Sequence, residues 1–159
     1  MARSAKRRDE RANTSYLRSE DGELDTEAER FKAAVVASIL DSKTEDAIEM
    51  LSRHYRVKKP RLGVGVFEGR TKGVGAVYSV QRREIRAANR EFYYNPFVII
   101  HEFYHHLRSS SGKHRGTEKD ADRFAIDFIE AYKRVARGYL AGEAGHRPTA
   151  DHTSSSLSS

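Results

Sequence analysis

The chain has 159 residues, 38% of them hydrophobic and 33% charged, with 29 lysines and arginines against 23 aspartates and glutamates. That is enough for one domain with a real core and too short for two ordinary ones, and no stretch approaches the 18 or so apolar residues of a membrane span. There is no cysteine, which excludes disulfides, thiolate metal clusters and a cysteine nucleophile, so any metal must be held by nitrogen and oxygen.

Residues 1–23 are polar and charged, without sustained periodicity, and are expected to form a disordered basic arm. They lack the apolar segment of a secretory signal, which favours the cytoplasm. Asp25 or Thr26 is expected to cap a first helix over 26–40, with Glu27 and Glu29 in its first turn and Phe31, Val35, Ile39 and Leu40 on one stripe. Ser42 is expected to cap a second helix carrying Ala47, Ile48, Leu51 and Tyr55, which stops before Pro60.

After Pro60 the pattern changes to short alternating runs. Leu62, Val64 and Val66 form one strand, Gly73 to Val80 a second, and Glu84 to Ala88 a third. The glycines imply a close approach or a bulge. A short twisted sheet, mainly antiparallel and packed on helices, accounts for these runs, so the fold class is α+β. Asn95 and Pro96 then start a helix that is apolar almost all round, as a central buried helix must be. Thr117 and Asp120 cap a last helix that fades near Gly138, and 141–159 is a low-complexity tail expected to be disordered. The folded domain is therefore 24–140.

The block 51–90 contains eleven basic residues and only two acids, a local net of +9. Arg53, Arg56, Lys58, Lys59, Arg61, Arg82, Arg83 and Arg86 make it a candidate patch for nucleic acid or an acidic partner. A solvated basic surface accounts for the same charge.

The chemistry lies in the segment VIIHEFYHHL. His101 and His105 are four residues apart, so both imidazoles leave one helical face and can bind one metal ion. Glu102 follows the first of them, placed to take a proton from a metal-bound water. His106 points about 100° away round the helix, a poor position for a ligand. A hydrolytic zinc site takes a third protein ligand. Glu118, brought back by an antiparallel turn, is the leading candidate, and His114 in the loop is the other. Asp122, four residues beyond Glu118, is placed to accept the Nδ1–H of a ligating histidine. Tyr93, Tyr94 and His114 are the candidate oxyanion or substrate donors.

The pair HEFYH and EKDADRFA resembles the small ImmA/IrrE-type metallopeptidases, and more distantly the thermolysin-type gluzincins and SprT-like proteases. The group carries an H-E-x-x-H helix followed by one written E-x-x-A-N/D-x-F-A. Here those positions are His101, Glu102 and His105, then Glu118, Ala121, Asp122, Phe124 and Ala125. The resemblance spans about residues 60–130. It implies a minimal zincin-like fold, one Zn2+ per chain, and hydrolysis of peptide bonds in a protein substrate, often a DNA-bound regulator. It also implies that an edge strand, either 73–80 or 84–88, aligns an extended peptide. Phe103 and Tyr104 stand where the group favours small residues. The alternative function is a nucleic-acid-associated binding protein with a structural or vestigial metal site.

Overall fold

The structure is a computed structural model and describes residues 26–65, 75–112 and 115–144. Helix α1 spans Glu27–Leu40, and the Thr26 hydroxyl accepts the Glu29 N–H at 3.2 Å. Only Ser42 and Lys43 connect its cap residue Asp41 to α2, Thr44–His54. So sharp a reversal needs a left-handed residue, and Ser42 supplies it at φ 63°. Lys43 N–H closes on Ser38 O at 2.8 Å and Ser42 N–H on Ile39 O at 3.1 Å. Ser42 is therefore the C-terminal stop of α1 and not the expected cap of α2, whose N-cap position is Lys43. The Thr44 hydroxyl reaches across to Tyr93 O at 2.9 Å.

Three strands follow: β1 Arg61–Val64, β2 Ala76–Ser79 and β3 Glu84–Ala87, in the order β1-β3-β2. The β2–β3 hairpin is antiparallel, as expected, whereas β1 and β3 run parallel, so the sheet is mixed. The chain leaves β1, starts β2 at the far edge, and the hairpin then inserts β3 between them. The expected strand residues Val66, Gly73 and Val74 lie outside the described residues. Both close approaches implied by glycine occur. A Cβ on Gly63 would meet Glu84 Oε1 at 2.7 Å, and one on Gly75 would meet the Phe92 ring at 2.9 Å.

A short helix α3, Arg90–Tyr93, was not anticipated; Asn89 caps it, accepting from Phe92 N–H at 3.0 Å. Helix α4 is Pro96–Ser110, with the Asn95 side chain accepting from Val98 N–H at 3.3 Å and Pro96 in the first turn. Helix α5, Glu118–Ala144, starts at Thr117, whose hydroxyl accepts from Asp120 N–H at 3.1 Å. It passes Gly138 without a break, so the first residues of the stretch read as tail are helical, and 145–159 lie outside the described residues, as does the arm 1–23.

The core is continuous from Val35, Val36 and Ile39 of α1 through Ile48 and Leu51 of α2 to Ile99, Ile100 and Phe103 of α4, with Ile85 above and Phe128 of α5 beside it. Burial of such side chains, about 1.5–3 kcal/mol each, locks α4 between the sheet and α5. Glu102, His105 and His106 are carried into that interior with it. No helix among the described residues is long and apolar enough to cross a membrane.

Candidate metal centre

Helix α4 offers two polar faces. One carries His101 and His105 towards the start of α5. The short turn that brings α5 back sets Glu118 against them, and each of the three offers a ligand atom within 4.8 Å of the others. His101 Nε2 lies 3.3 Å from His105 Nε2 and 2.9 Å from Glu118 Oε2, and His105 Nε2 lies 3.2 Å from Glu118 Oε1. A tetrahedral ion with ligand bonds of about 2.0–2.2 Å separates its ligand atoms by about 3.3–3.5 Å. The cluster is thus already at the right size.

The outer nitrogens decide what those inner atoms are. His105 Nδ1 lies 3.0 Å from the backbone carbonyl of Arg115, which can only accept, so this nitrogen carries the proton. His101 Nδ1 lies 2.9 Å from Asp122 Oδ1, which fixes the same tautomer. Both Nε2 atoms are then bare lone pairs facing each other and a carboxylate. In those tautomers three acceptors converge, an arrangement consistent with a bound divalent cation. Burial holds the His105 imidazole below its usual pKa, against protonation. His105 is fully buried, while Glu118 is exposed, so the cluster has a closed floor and an open mouth.

Glu102 sits on the sheet side of the same helix. Its Oε2 accepts the backbone N–H of Tyr78 at 2.7 Å, and burial pushes its carboxyl up from the ordinary 4.5 to about 7. His106 is buried beyond it, between the Tyr78 hydroxyl at 2.9 Å and Lys58 O at 2.7 Å. It fastens β2 to the segment before β1, a role its sequence context did not reveal.

The other expected residues fall elsewhere. Tyr93 packs edge-on against Tyr94 at 5.1 Å, and its hydroxyl is turned to Glu45 of α2. Neither tyrosine is brought to the cluster by these contacts. His114 lies outside the described residues. Arg115, which sequence reasoning missed, stands at the mouth, its guanidinium 3.9 Å from Glu118 Oε1 and its charge felt by Glu102. Gly116 lets that loop lie flat on Tyr104, since a Cβ there would meet the ring at 2.6 Å.

Several cations of the basic block are paired. Arg53 pairs with Glu49 at 2.6 Å, Lys59 with Glu45 at 2.8 Å and Arg86 with Glu84 at 2.6 Å, and Arg61 donates to Arg82 O at 3.0 Å. Arg56, Lys58 and Arg83 line a cleft at the end of the sheet.

No protein-family model matches the chain, nor does any curated protein or solved structure. The chain thus shows a small zincin-like arrangement, His-Glu-x-x-His plus a distal glutamate, consistent with the broad metallopeptidase superfamily and tied to no particular family within it.

Proposed function

We propose that the chain is a zinc-dependent endopeptidase, nearest in kind to the ImmA/IrrE-like gluzincins, that hydrolyses peptide bonds in a protein substrate. The observation that carries this reading is the convergence of three lone-pair donors, each imidazole oriented by its own acceptor, beside a buried glutamate. His101, His105 and Glu118 would hold the ion, and Asp122 and the Arg115 carbonyl would keep the two imidazoles in the ligating tautomer. A divalent ion there supplies Lewis acidity towards water and a scissile carbonyl, and a positive charge that favours the ionised form of Glu102. Glu102 is the proton carrier, taking a proton from the attacking water and passing it to the leaving amine. The Tyr78 N–H holds one of its oxygens and leaves the other for transfer. Arg115 supplies positive charge at the mouth, where the oxyanion develops.

The peptide would lie along β2. Of the two expected candidates, 84–88 is excluded, because β3 is paired on both sides. In β2, the ladder turns Val77 and Ser79 to β3 and leaves Ala76 and Tyr78 facing outward beside α4. A DNA-associated protein substrate belongs to the same reading and rests on the resemblance, and a cytoplasmic location on the lack of an apolar signal segment in residues 1–23.

The test is metal content of the purified, zinc-loaded chain together with digestion of unfolded protein substrates. The expected result is about one zinc per chain and cleavage that Glu102→Gln reduces by about 10²–10⁴-fold with zinc retained. No metal uptake after zinc loading would overturn the reading.

A further inference from the structure

Among the described residues three non-glycines adopt a backbone conformation that suits glycine: Ser42, in the α1–α2 turn, and two arginines. Arg56 has φ 55° and Arg83 has φ 48°. Arg56 ends α2, with its own N–H on Arg53 O at 3.2 Å and Val57 N–H on Ser52 O at 3.0 Å, the pattern that most often places glycine at this position. Arg83 closes the β2–β3 turn, its N–H on Val80 O at 3.3 Å. A side chain in the left-handed region is strained where glycine is not. Both strained arginines line the same cleft of about 360 Å3, together with Lys58, Tyr78, His106 and Ser110. None of the cleft's lining residues is acidic, and among the described residues no carboxylate pairs with Arg56 or Arg83. Arg83 stands close enough to act by charge on both Tyr78 and His106 at the cleft floor.

We propose that this cleft is an anion subsite that takes the carboxylate side chain of an extended peptide lying along the β2 edge. The inference rests on the peptidase reading and adds a substrate preference to it. Tyr78 links the two places. Its backbone N–H holds Glu102, and its ring and hydroxyl stand on the cleft floor against His106. A strand advances about 3.3 Å per residue, so an acidic side chain two or three positions from the residue over Tyr78 reaches the arginines. A nucleic-acid backbone fits less well. The cleft accommodates one group, and among the described residues the neighbouring cations Arg53, Lys59 and Arg86 are each held by a glutamate rather than turned to a common track for successive phosphates.

The experiment measures binding by fluorescence anisotropy, using the full zinc-loaded chain carrying Glu102→Gln to prevent turnover. The probes are an eight-residue extended peptide, neutral but for one glutamate, its glutamine twin, and a twelve-nucleotide single-stranded DNA. The glutamate peptide should bind at least tenfold tighter than its twin. Arg56→Gly with Arg83→Gly should erase that difference while leaving the unfolding midpoint no lower, because glycine relieves both strained backbones. Each single variant should remove part of the preference, which keeps the test decisive if the double variant does not fold. Equal affinity for the two peptides, or a preference that survives the arginine variants, would overturn the proposal. So would DNA that displaces the glutamate peptide and loses affinity in the same variants. Failure of the wild type to cleave the glutamate peptide, with the preference intact, would refute hydrolysis and leave the anion subsite standing.

Discussion

Gly116→Ala tests whether the metal-facing geometry depends on the loop that precedes α5. Gly116 sits at φ +83°, and a Cβ there would lie 2.6 Å from Tyr104 Cε1, 3.0 Å from its hydroxyl and 3.1 Å from Cζ. The conformation alone costs an alanine about 1–2 kcal/mol. The overlap is against a ring seated on His105 and Phe124, at 5.9 and 5.5 Å between centroids, so the loop yields more readily than the ring. Restoring ordinary contact takes a shift of about 1 Å. The adjacent Arg115 carbonyl, now 3.0 Å from His105 Nδ1, would then stand about 4 Å away, beyond hydrogen-bond range. Loss of such an orienting partner lowers metal affinity about 10–100-fold, or about 1.4–2.7 kcal/mol. Zinc affinity measured by chelator competition, beside urea unfolding of the metal-free chain, separates the two effects. Adding Tyr104→Ala removes the overlap but not the backbone strain. It should therefore return much of the zinc affinity and none of the left-handed cost. A Gly116→Ala chain that binds zinc within twofold of the parent would refute the reasoning.

Glu118→Ala should abolish stoichiometric zinc binding while leaving the fold, because Glu118 is exposed and contributes to no core contact; plasma emission and far-UV circular dichroism check the two halves. His106→Phe should cost about 2–4 kcal/mol in urea unfolding, because it strands the Tyr78 hydroxyl and the Lys58 carbonyl, yet zinc content should be unchanged. The Glu102 carboxyl, raised by burial to about 7, makes the metal-free chain more stable in its protonated form. That contribution is complete below pH 4.5 and is lost as the pH rises through 7, about 3 kcal/mol in all. Urea unfolding from pH 5 to 8 should show the decline, and Glu102→Gln should flatten it; identical slopes in the two chains would contradict the assignment.

The parts of the site that could be read in the sequence are those set by helical spacing. His101 and His105 share a face because they are four apart, and Glu118 and Asp122 repeat the interval on α5, so a short antiparallel turn brings all four together. Thr26, Asn95, Pro96 and Thr117 were legible for a similar reason, since each acts within one turn of itself. What escaped was carried by the backbone or by tertiary pairing. The acceptor for His105 is the main-chain carbonyl of Arg115, which any residue would provide. The parallel β1–β3 ladder depends on where the β2–β3 hairpin inserts, a choice that leaves no mark in strands of four residues. Ser42 suits a helix start chemically, but a two-residue connection required a left-handed turn there instead. Charges adjacent in the basic block pair with glutamates on α2 and β3, partners that sequence spacing does not indicate.

The neighbours His105 and His106 show why residue type alone does not identify a ligand. Both are buried, and in both burial holds the imidazole below its usual pKa. His106 gives its Nε2 proton to Lys58 O and receives the Tyr78 hydroxyl at Nδ1, so each nitrogen is satisfied by the protein. His105 gives its Nδ1 proton to Arg115 O and turns Nε2 towards His101 and Glu118, neither of which has a proton to offer while Asp122 holds His101 in its tautomer. The distinction follows from counting protons against lone pairs. A histidine whose two nitrogens both find complementary partners is structural. In their Nδ1–H tautomers His101 and His105 instead turn Nε2 lone pairs towards each other and Glu118, the donor set of a divalent metal site.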